Sequence, residues 1–283
     1  MVPKIFITYL EKVLSEKIIS ITLLSGGDIN EVYVLKTATR KVVLKLNSAS
    51  TFPDMFKAEA YGLQCLRRSN TFTIPEVLAF DQYQDITFLM LEYIEDGVQV
   101  KDFWSFFGKQ LAGLHRTSTT YFGLDSDNYI GSLTQYNSKC ETASEFYITQ
   151  RLEPQFKLAI EQGVSFPDLD HFYTVIENEI PKEPSSLIHG DLWSGNFMKD
   201  VRGMPCLIDP AIAYAPRELD IGMMHLFGGF DSTLFYSYNE VFPLYDNWKE
   251  RLPIWQLYYL LVHLNLFGGA YCQEVNRIIK KYV

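Results

Sequence analysis

Cysteine is scarce: Cys65, Cys140, Cys206 and Cys272 are the four thiols in 283 residues, and no two stand in a CxxC pair. That spacing excludes a compact cysteine zinc site or a redox dithiol, and it leaves reduced thiols in a cytosolic protein as the expectation. Positive charge is also short, with 25 Lys and Arg against 34 Asp and Glu and a formal charge of −9. An acidic chain of this kind argues against nonspecific binding to nucleic acid or to an anionic membrane. No repeat and no low-complexity tract is present. The N-terminus lacks a long apolar core with a small-residue cleavage site, so no signal peptide is read. A clean membrane span is missing as well. The stretch 254–271 carries no formal charge, but Gln256, His263, Asn265 and three tyrosines interrupt it. Polar groups in lipid need partners, so a buried C-terminal helix is the expectation.

Apolar material is abundant. The hydrophobic fraction is 47%, with 18 Tyr and 20 Phe, enough for a sizeable core. The length suits one large domain or two lobes sharing a cleft. In the first part, 18–24, 31–37 and 40–46 read as strands, 53–68 as a helix, and 75–80 and 86–92 as two more strands. The remainder reads as mostly helical: 101–116, 142–160, 166–178, 219–226 and 254–266, with short strands at 187–189 and 206–209. The segment Glu92-Tyr93-Ile94-Glu95-Asp96-Gly97 joins the halves and ends in Gly, as a hinge does. The expected fold class is α+β, in two lobes. Residues 1–93 form a small lobe with a five-stranded antiparallel sheet plus a helix, and 94–283 form a larger, mostly helical lobe.

Phosphoryl transfer needs phosphates held still, a divalent cation, and a carboxylate that orients the attacking hydroxyl. Each part has a candidate. His189-Gly190-Asp191-Leu192-Trp193-Ser194-Gly195-Asn196 fits H-x-D-x-x-x-x-N, in which the Asp takes the hydroxyl proton and the Asn binds metal. Asp209, in Ile208-Asp209-Pro210, ends an apolar strand thirteen residues after Asn196. Together Asn196 and Asp209 make a two-ligand magnesium site of hard oxygen donors. Lys45 shares a strand face with Val43. The next helix sets Phe56, Glu59, Leu63 and Leu66 at helical spacing. A carboxylate on that apolar face is costly unless paired, and Lys45 is the economical partner. The turn Ser25-Gly26-Gly27-Asp28-Ile29-Asn30 offers backbone N–H groups to phosphates, although it is neither G-x-G-x-x-G nor a Walker A. Asp220 reads either as a brace for the catalytic loop or as a plain carboxylate at a helix start. His115 is read as structural.

These residues resemble the protein-kinase-like superfamily, its aminoglycoside phosphotransferase/choline kinase branch, and within that the fructosamine kinase (ketosamine-3-kinase) family. The stretches that carry the resemblance are 26–30, 55–60, 127–131, 189–196, 208–210, Leu226-Phe227-Gly228-Gly229-Phe230 and His263-Leu264-Asn265-Leu266-Phe267-Gly268-Gly269. The resemblance implies ATP and Mg2+. It implies Asp191 as base, Asn196 and Asp209 as metal ligands, and Gly26, Gly27, Asn30, Lys45 and Glu59 around the phosphates. Adenine is expected against the backbone of Glu92, Tyr93 and Ile94. Trp193, Asp127, Asn128 and Tyr129 are expected to wall the substrate. The implied substrate is a ketosugar on a lysine side chain or small amine, phosphorylated at its 3-hydroxyl, which serves deglycation. An aminoglycoside, choline or homoserine acceptor on the same fold is the first alternative. A kinase-fold binding protein without catalysis is the second, and the intact Lys45, Asp191, Asn196 and Asp209 speak against it. Some relatives carry a Cys in the glycine turn and join through it. This chain has none there, so that link is not carried over and a monomer is expected, cytoplasmic as the reduced thiols imply.

Overall fold

The computed structural model describes residues 2–24 and 29–283. The glycine turn expectation, including Gly26, Gly27 and Asp28, lies outside the described residues, apart from Ile29 and Asn30.

The small lobe begins with helix α1 (Lys4–Leu14), which periodicity alone did not flag, and buries Phe6, Leu10 and Leu14 on one stripe. Five strands follow: β1 (Ser20–Leu23), β2 (Glu31–Lys36), β3 (Lys41–Ser48), β4 (Val77–Tyr83) and β5 (Ile86–Glu92). They form one antiparallel sheet in the order β1-β2-β3-β5-β4. Helix α2 (Met55–Arg68) crosses between β3 and β4 and buries Phe56, Ala60, Leu63 and Leu66. The sheet thus has α1 against a cluster that includes Leu35, Leu44, Phe88 and Met90. Its other face, through Leu89 and Leu91, shares a core with α2 and with the large lobe.

In the large lobe, helix α3 (Phe103–His115) is followed by a hairpin of β6 (Asn128–Ile130) and β7 (Leu133–Gln135). The single helix expected over 142–160 is three pieces. Helix α4 (Ala143–Phe146) runs into a π-helical turn, Tyr147–Leu152, and then into α5 (Glu153–Glu161). Next come α6 (Leu169–Glu179), β8 (Ser186–Ile188), β9 (Phe197–Lys199), β10 (Pro205–Leu207) and β11 (Ala213–Ala215). Strand β9 pairs with β10, and β8 pairs with β11. Helices α7 (Glu218–Phe227), α8 (Ser232–Val241), α9 (Trp248–Phe267) and α10 (Cys272–Ile279) close the lobe. Helix α9 contains most of the uncharged C-terminal stretch. Ile254, Trp255, Leu257, Tyr258, Tyr259, Leu260, Leu261, Val262 and Leu264 are all buried, so the middle of the helix is packed within protein while its ends, at Lys249, Glu250 and Phe267, are exposed. No described helix is long and apolar enough to cross a membrane.

Candidate active site

Two short ribbons assemble the chemistry. Strands β9 and β10 pair Phe197 with Leu207. One residue beyond that pair, the Ile208 N–H donates to the Asn196 carbonyl at 3.1 Å. The ribbon therefore brings Asn196 and Asp209 to the same end, although thirteen residues separate them. Strands β8 and β11 do the same for the catalytic loop. Ala211 N–H donates to the His189 carbonyl at 2.9 Å, which sets the segment after Asp209 beside the segment before Asp191. Gly190 is required between them. Its φ is +82°, and an added Cβ would lie 2.0 Å from the Ala211 carbonyl oxygen.

Asp191 faces the cleft, half-buried. Its Oδ2 accepts from Asn196 Nδ2 at 2.9 Å, and its carbonyl accepts from the same amide at 2.8 Å. With Nδ2 used in this way, the Asn196 Oδ1 takes no hydrogen bond among the described residues. Burial pushes the Asp191 carboxyl up to about 7; Asn196 opposes the shift, while Asp209 and Asp220 add to it. Asp209 holds a left-handed φ of 54°, a conformation that few residues other than Gly adopt and that Asp tolerates better than most.

Lys45, on β3, is 5% exposed. Its Nζ donates to Glu59 Oε1 at 2.7 Å and to Asp209 Oδ1 at 2.5 Å. The Lys45–Glu59 pair read from the sequence is present, and the contact to Asp209 is an addition. Burial pulls Lys45 down, but Asp209 and Glu59 outweigh it and hold the ammonium above its usual value.

The loop is braced from beneath. Both oxygens of the fully buried Asp220, at the start of α7, accept backbone N–H groups, from His189 and from Gly190, each at 2.8 Å. Of the two readings of Asp220, the brace is the one present. His115 Nε2 lies 3.1 Å from Asp220, and its Nδ1 lies 2.9 Å from the Tyr238 hydroxyl. His115 is wholly buried, and burial lowers its pKa against the opposing pull of Asp220; it contacts the brace and Tyr238 and does not line the cavity, so its role there is structural.

A cavity of about 810 Å3 lies between the lobes. Asn30, Lys45, Glu59, Asn128, Tyr129, Asp191, Trp193, Asn196 and Asp209 all line it. Trp193 is 42% exposed and lies across Gly195, where a Cβ would meet the indole at 2.3 Å. Its far wall is aromatic: Phe227, His263, Phe267 and Tyr271. Residue-by-residue reading did not single these out, although the two Phe-Gly-Gly stretches contain three of them, Phe227, His263 and Phe267. Asp127, Glu92, Tyr93 and Ile94 are not among the lining residues. The Asp127 carboxylate accepts instead from Asn137 N–H at 2.8 Å. Glu92 N–H is donated to the Glu76 carbonyl at 2.8 Å. Asn128 reaches the cavity, but its amide is spent on protein groups: Nδ2 on the Ile212 carbonyl, and Oδ1 on Gln135 and Asn137. Tyr129 bridges the lobes, its hydroxyl donating to the Pro53 carbonyl at 2.9 Å.

This geometry meets its likeness in known proteins. The model of the fructosamine kinase family matches residues 3–283. The chain belongs to the fructosamine kinase family. A protein of Enterococcus faecium named "Probable ketoamine kinase" is 38% identical over 263 residues, covering 91% of this chain and 93% of that one. The crystal structure of a provisionally named fructosamine-3-kinase from Haemophilus somnus 129PT superposes with a TM-score of 0.89 at 26% identity, over 98% of this chain and 96% of that one. An aminoglycoside phosphotransferase solved with AMP-PNP and hygromycin B shares the fold alone, at a TM-score of 0.63 and 15% identity over 97% of both chains. Family and fold together make this chain an ATP-using kinase of the protein-kinase-like fold.

Proposed function

We propose that this chain transfers the γ-phosphoryl group of ATP to the 3-hydroxyl of a ketosamine, a ketosugar joined to an amine, and so makes the adduct labile for deglycation. Membership of the fructosamine kinase family supports the substrate class. The observation that carries the chemistry is the meeting of Asp191, Asn196, Asp209 and Lys45 in one interlobe cavity beside the exposed Trp193. In this reading the Asp191 carboxylate orients the sugar hydroxyl and takes its proton as the phosphoryl group transfers. Lys45, aimed by Glu59, turns from Asp209 to the phosphates. Trp193 offers a ring face to the sugar or its amine. Asn196 and Asp209 fit Mg2+, because they are hard oxygen donors at one end of one ribbon. Among the described residues no group of three or more His, Cys, Asp or Glu is placed to hold a metal. A two-residue set therefore suits an ion that keeps waters and shares the phosphates. Bound there, Mg2+ would offset the phosphate charge. The cavity's own charges favour that need: Lys45 is a cation among Glu59, Asp191 and Asp209. Free thiols and the dependence on ATP suit a cytoplasmic enzyme, and one chain carries every group named.

The test is turnover of ribulosamine and fructosamine adducts, free sugars, an aminoglycoside and choline, with ATP, with and without a chelator of divalent cations. Chelation is expected to abolish turnover. Activity confined to the aminoglycoside or choline would sink the proposal. Asp191→Asn should keep ADP binding and lose about 100-fold or more in kcat. A variant as fast as the wild type would remove Asp191 from the role of base.

A further inference from the structure

One buried cation in the large lobe has no acid partner. Arg151 is 1% exposed, and among the described residues it makes no ion pair. Burying a guanidinium in this way is costly unless neutral acceptors replace its water. Burial lowers its pKa accordingly. The π-helical turn delivers it. A turn closed from i to i+5 aligns residues five apart, so Phe146 with Arg151, and Tyr147 with Leu152, all face inward. The guanidinium lies 4.4 Å over the Phe146 ring.

Its hydrogen bonds begin a chain that ends at the catalytic segment. Arg151 Nη1 donates to the carbonyls of Tyr136 and Gln150, and Nη2 donates to Asn137 Oδ1 at 2.8 Å. Asn137 Nδ2 then donates to Asn128 Oδ1 at 3.0 Å. Asn128 Nδ2 donates to the Ile212 carbonyl at 2.9 Å. Gln135 Nε2 runs alongside, donating to Asn128 Oδ1 at 2.8 Å and to the Ala211 carbonyl at 3.0 Å, while its Oε1 accepts from Tyr258 at 2.8 Å. Asn128, Gln135, Asn137 and Tyr258 are all buried. A guanidinium can only donate and a carbonyl can only accept. An amide chain between those two ends has one orientation, and Arg151 sets it. The accepting carbonyls lie two and three residues beyond Asp209. The same Ala211 donates its N–H to His189, two residues before Asp191. The chain therefore acts on the stretch that fixes Asp209, with its left-handed backbone, against Asp191.

We propose that Arg151 is a positioning residue for phosphoryl transfer. Through Asn137, Asn128 and Gln135 it holds the segment 209–212 in register with the catalytic loop. The inference rests on the kinase reading above and names a residue outside the cavity as a determinant of it. Loss of a group that orients ligand-bearing residues typically costs about 10- to 100-fold in metal affinity or activity.

The experiment compares Arg151→Met, Arg151→Lys, Asn137→Leu and the double variant Arg151→Met/Asn137→Leu, each assayed well below its own melting temperature. Two quantities are read: kcat against the KM for a ketosamine, and Mg2+-ADP affinity by calorimetry. Arg151→Met and Asn137→Leu should each lose about 10- to 100-fold in kcat and bind Mg2+-ADP more weakly, with the ketosamine KM unchanged. Arg151→Lys should recover part of both losses. The double variant should be no slower than the slower single, because both cut one chain. Variants that melt earlier but keep wild-type kcat and Mg2+-ADP affinity would overturn the inference, since a merely structural arginine predicts that result. If Arg151→Met does not fold, Asn137→Leu decides, because it leaves the guanidinium its two carbonyl partners. If the wild type does not turn over ketosamines, the calorimetry still reads the positioning role, so the two failures are separable.

Discussion

Gly190→Ala perturbs the contact that holds the Asp191 loop against the Asp209 segment. A Cβ built on Gly190 lies 2.0 Å from the Ala211 carbonyl oxygen and 2.8 Å from its carbon, whereas real Cβ contacts do not fall below 3.0 Å. Both partners are backbone, so no rotamer relieves the clash. The two strands of chain must part by about 1 Å at least. The loop cannot back away freely: Asp220 holds the N–H groups of His189 and Gly190 at 2.8 Å, and the Tyr259 hydroxyl holds the Gly190 carbonyl at 3.0 Å. The strain is therefore released as a shift between Asp191, one residue along, and Asp209, two residues before Ala211. The left-handed φ adds about 1–2 kcal/mol for a residue with a side chain. A misplacement of about 1 Å costs on the order of 100-fold in rate, equivalent to about 2.7 kcal/mol of barrier. The assay is the initial rate with ATP and a ribulosamine or fructosamine, at a temperature where the melting curve shows the variant fully folded. A folded Gly190→Ala enzyme with wild-type kcat would refute this reasoning, because it would mean that the separation of the two segments does not matter.

Two further substitutions test the charges around the loop. Lys45→Met removes the cation between Glu59 and Asp209. Truncating one partner of a buried charge pair costs about 2–5 kcal/mol, so affinity for ATP should fall roughly 30-fold or more; unchanged nucleotide affinity by calorimetry would remove Lys45 from the phosphate site. Asp220→Asn turns an NH2 group toward buried donors and should cost about 1–3 kcal/mol of stability. Its pH dependence has a definite sign. Burial pushes Asp220 up, but hydrogen bonds and charge from His115, His189 and Gly190 outweigh burial and leave its folded pKa below the usual value. The contribution is thus complete above about pH 3.9, the unfolded value, and is lost as pH falls through the folded one. Denaturant titrations of wild type and variant should show a constant gap from about pH 8 to pH 5, narrowing only below about pH 4. A gap that closes already between pH 7 and pH 5 would show that His115, not the Asp220 carboxylate, carries the brace.

What the sequence revealed and what it hid follow from how far each interaction reaches. Strand alternation and helix spacing are local, and β2, β3, β5 and α2 lie close to where those periods put them. Lys45–Glu59 was legible because a carboxylate on an apolar helix stripe demands a partner, and one strand face supplied it. Asn196 and Asp209 were singled out by motif, residue type and spacing, but the short ribbon that returns them to one place is visible only in the fold. Arg151 was not singled out. In a run read as one helix, a residue's phase is fixed by the assumed period, and a π-helical turn shifts that phase without any mark of composition. Asn128, Gln135 and Asn137 look equally like loop residues in sequence. Their roles come from directionality, and a directed chain exists only once its donor end and its acceptor end have been brought together. Asp127 shows the converse: the family resemblance set it on the substrate wall, but the fold spends the carboxylate on the Asn137 N–H, and it does not line the cavity. The residues that do chemistry announce themselves by type. Besides Asp220 and Tyr259, the groups tied to the segments around them are ordinary amides and one arginine, and only three-dimensional hydrogen bonding separates these from the many others of their kind.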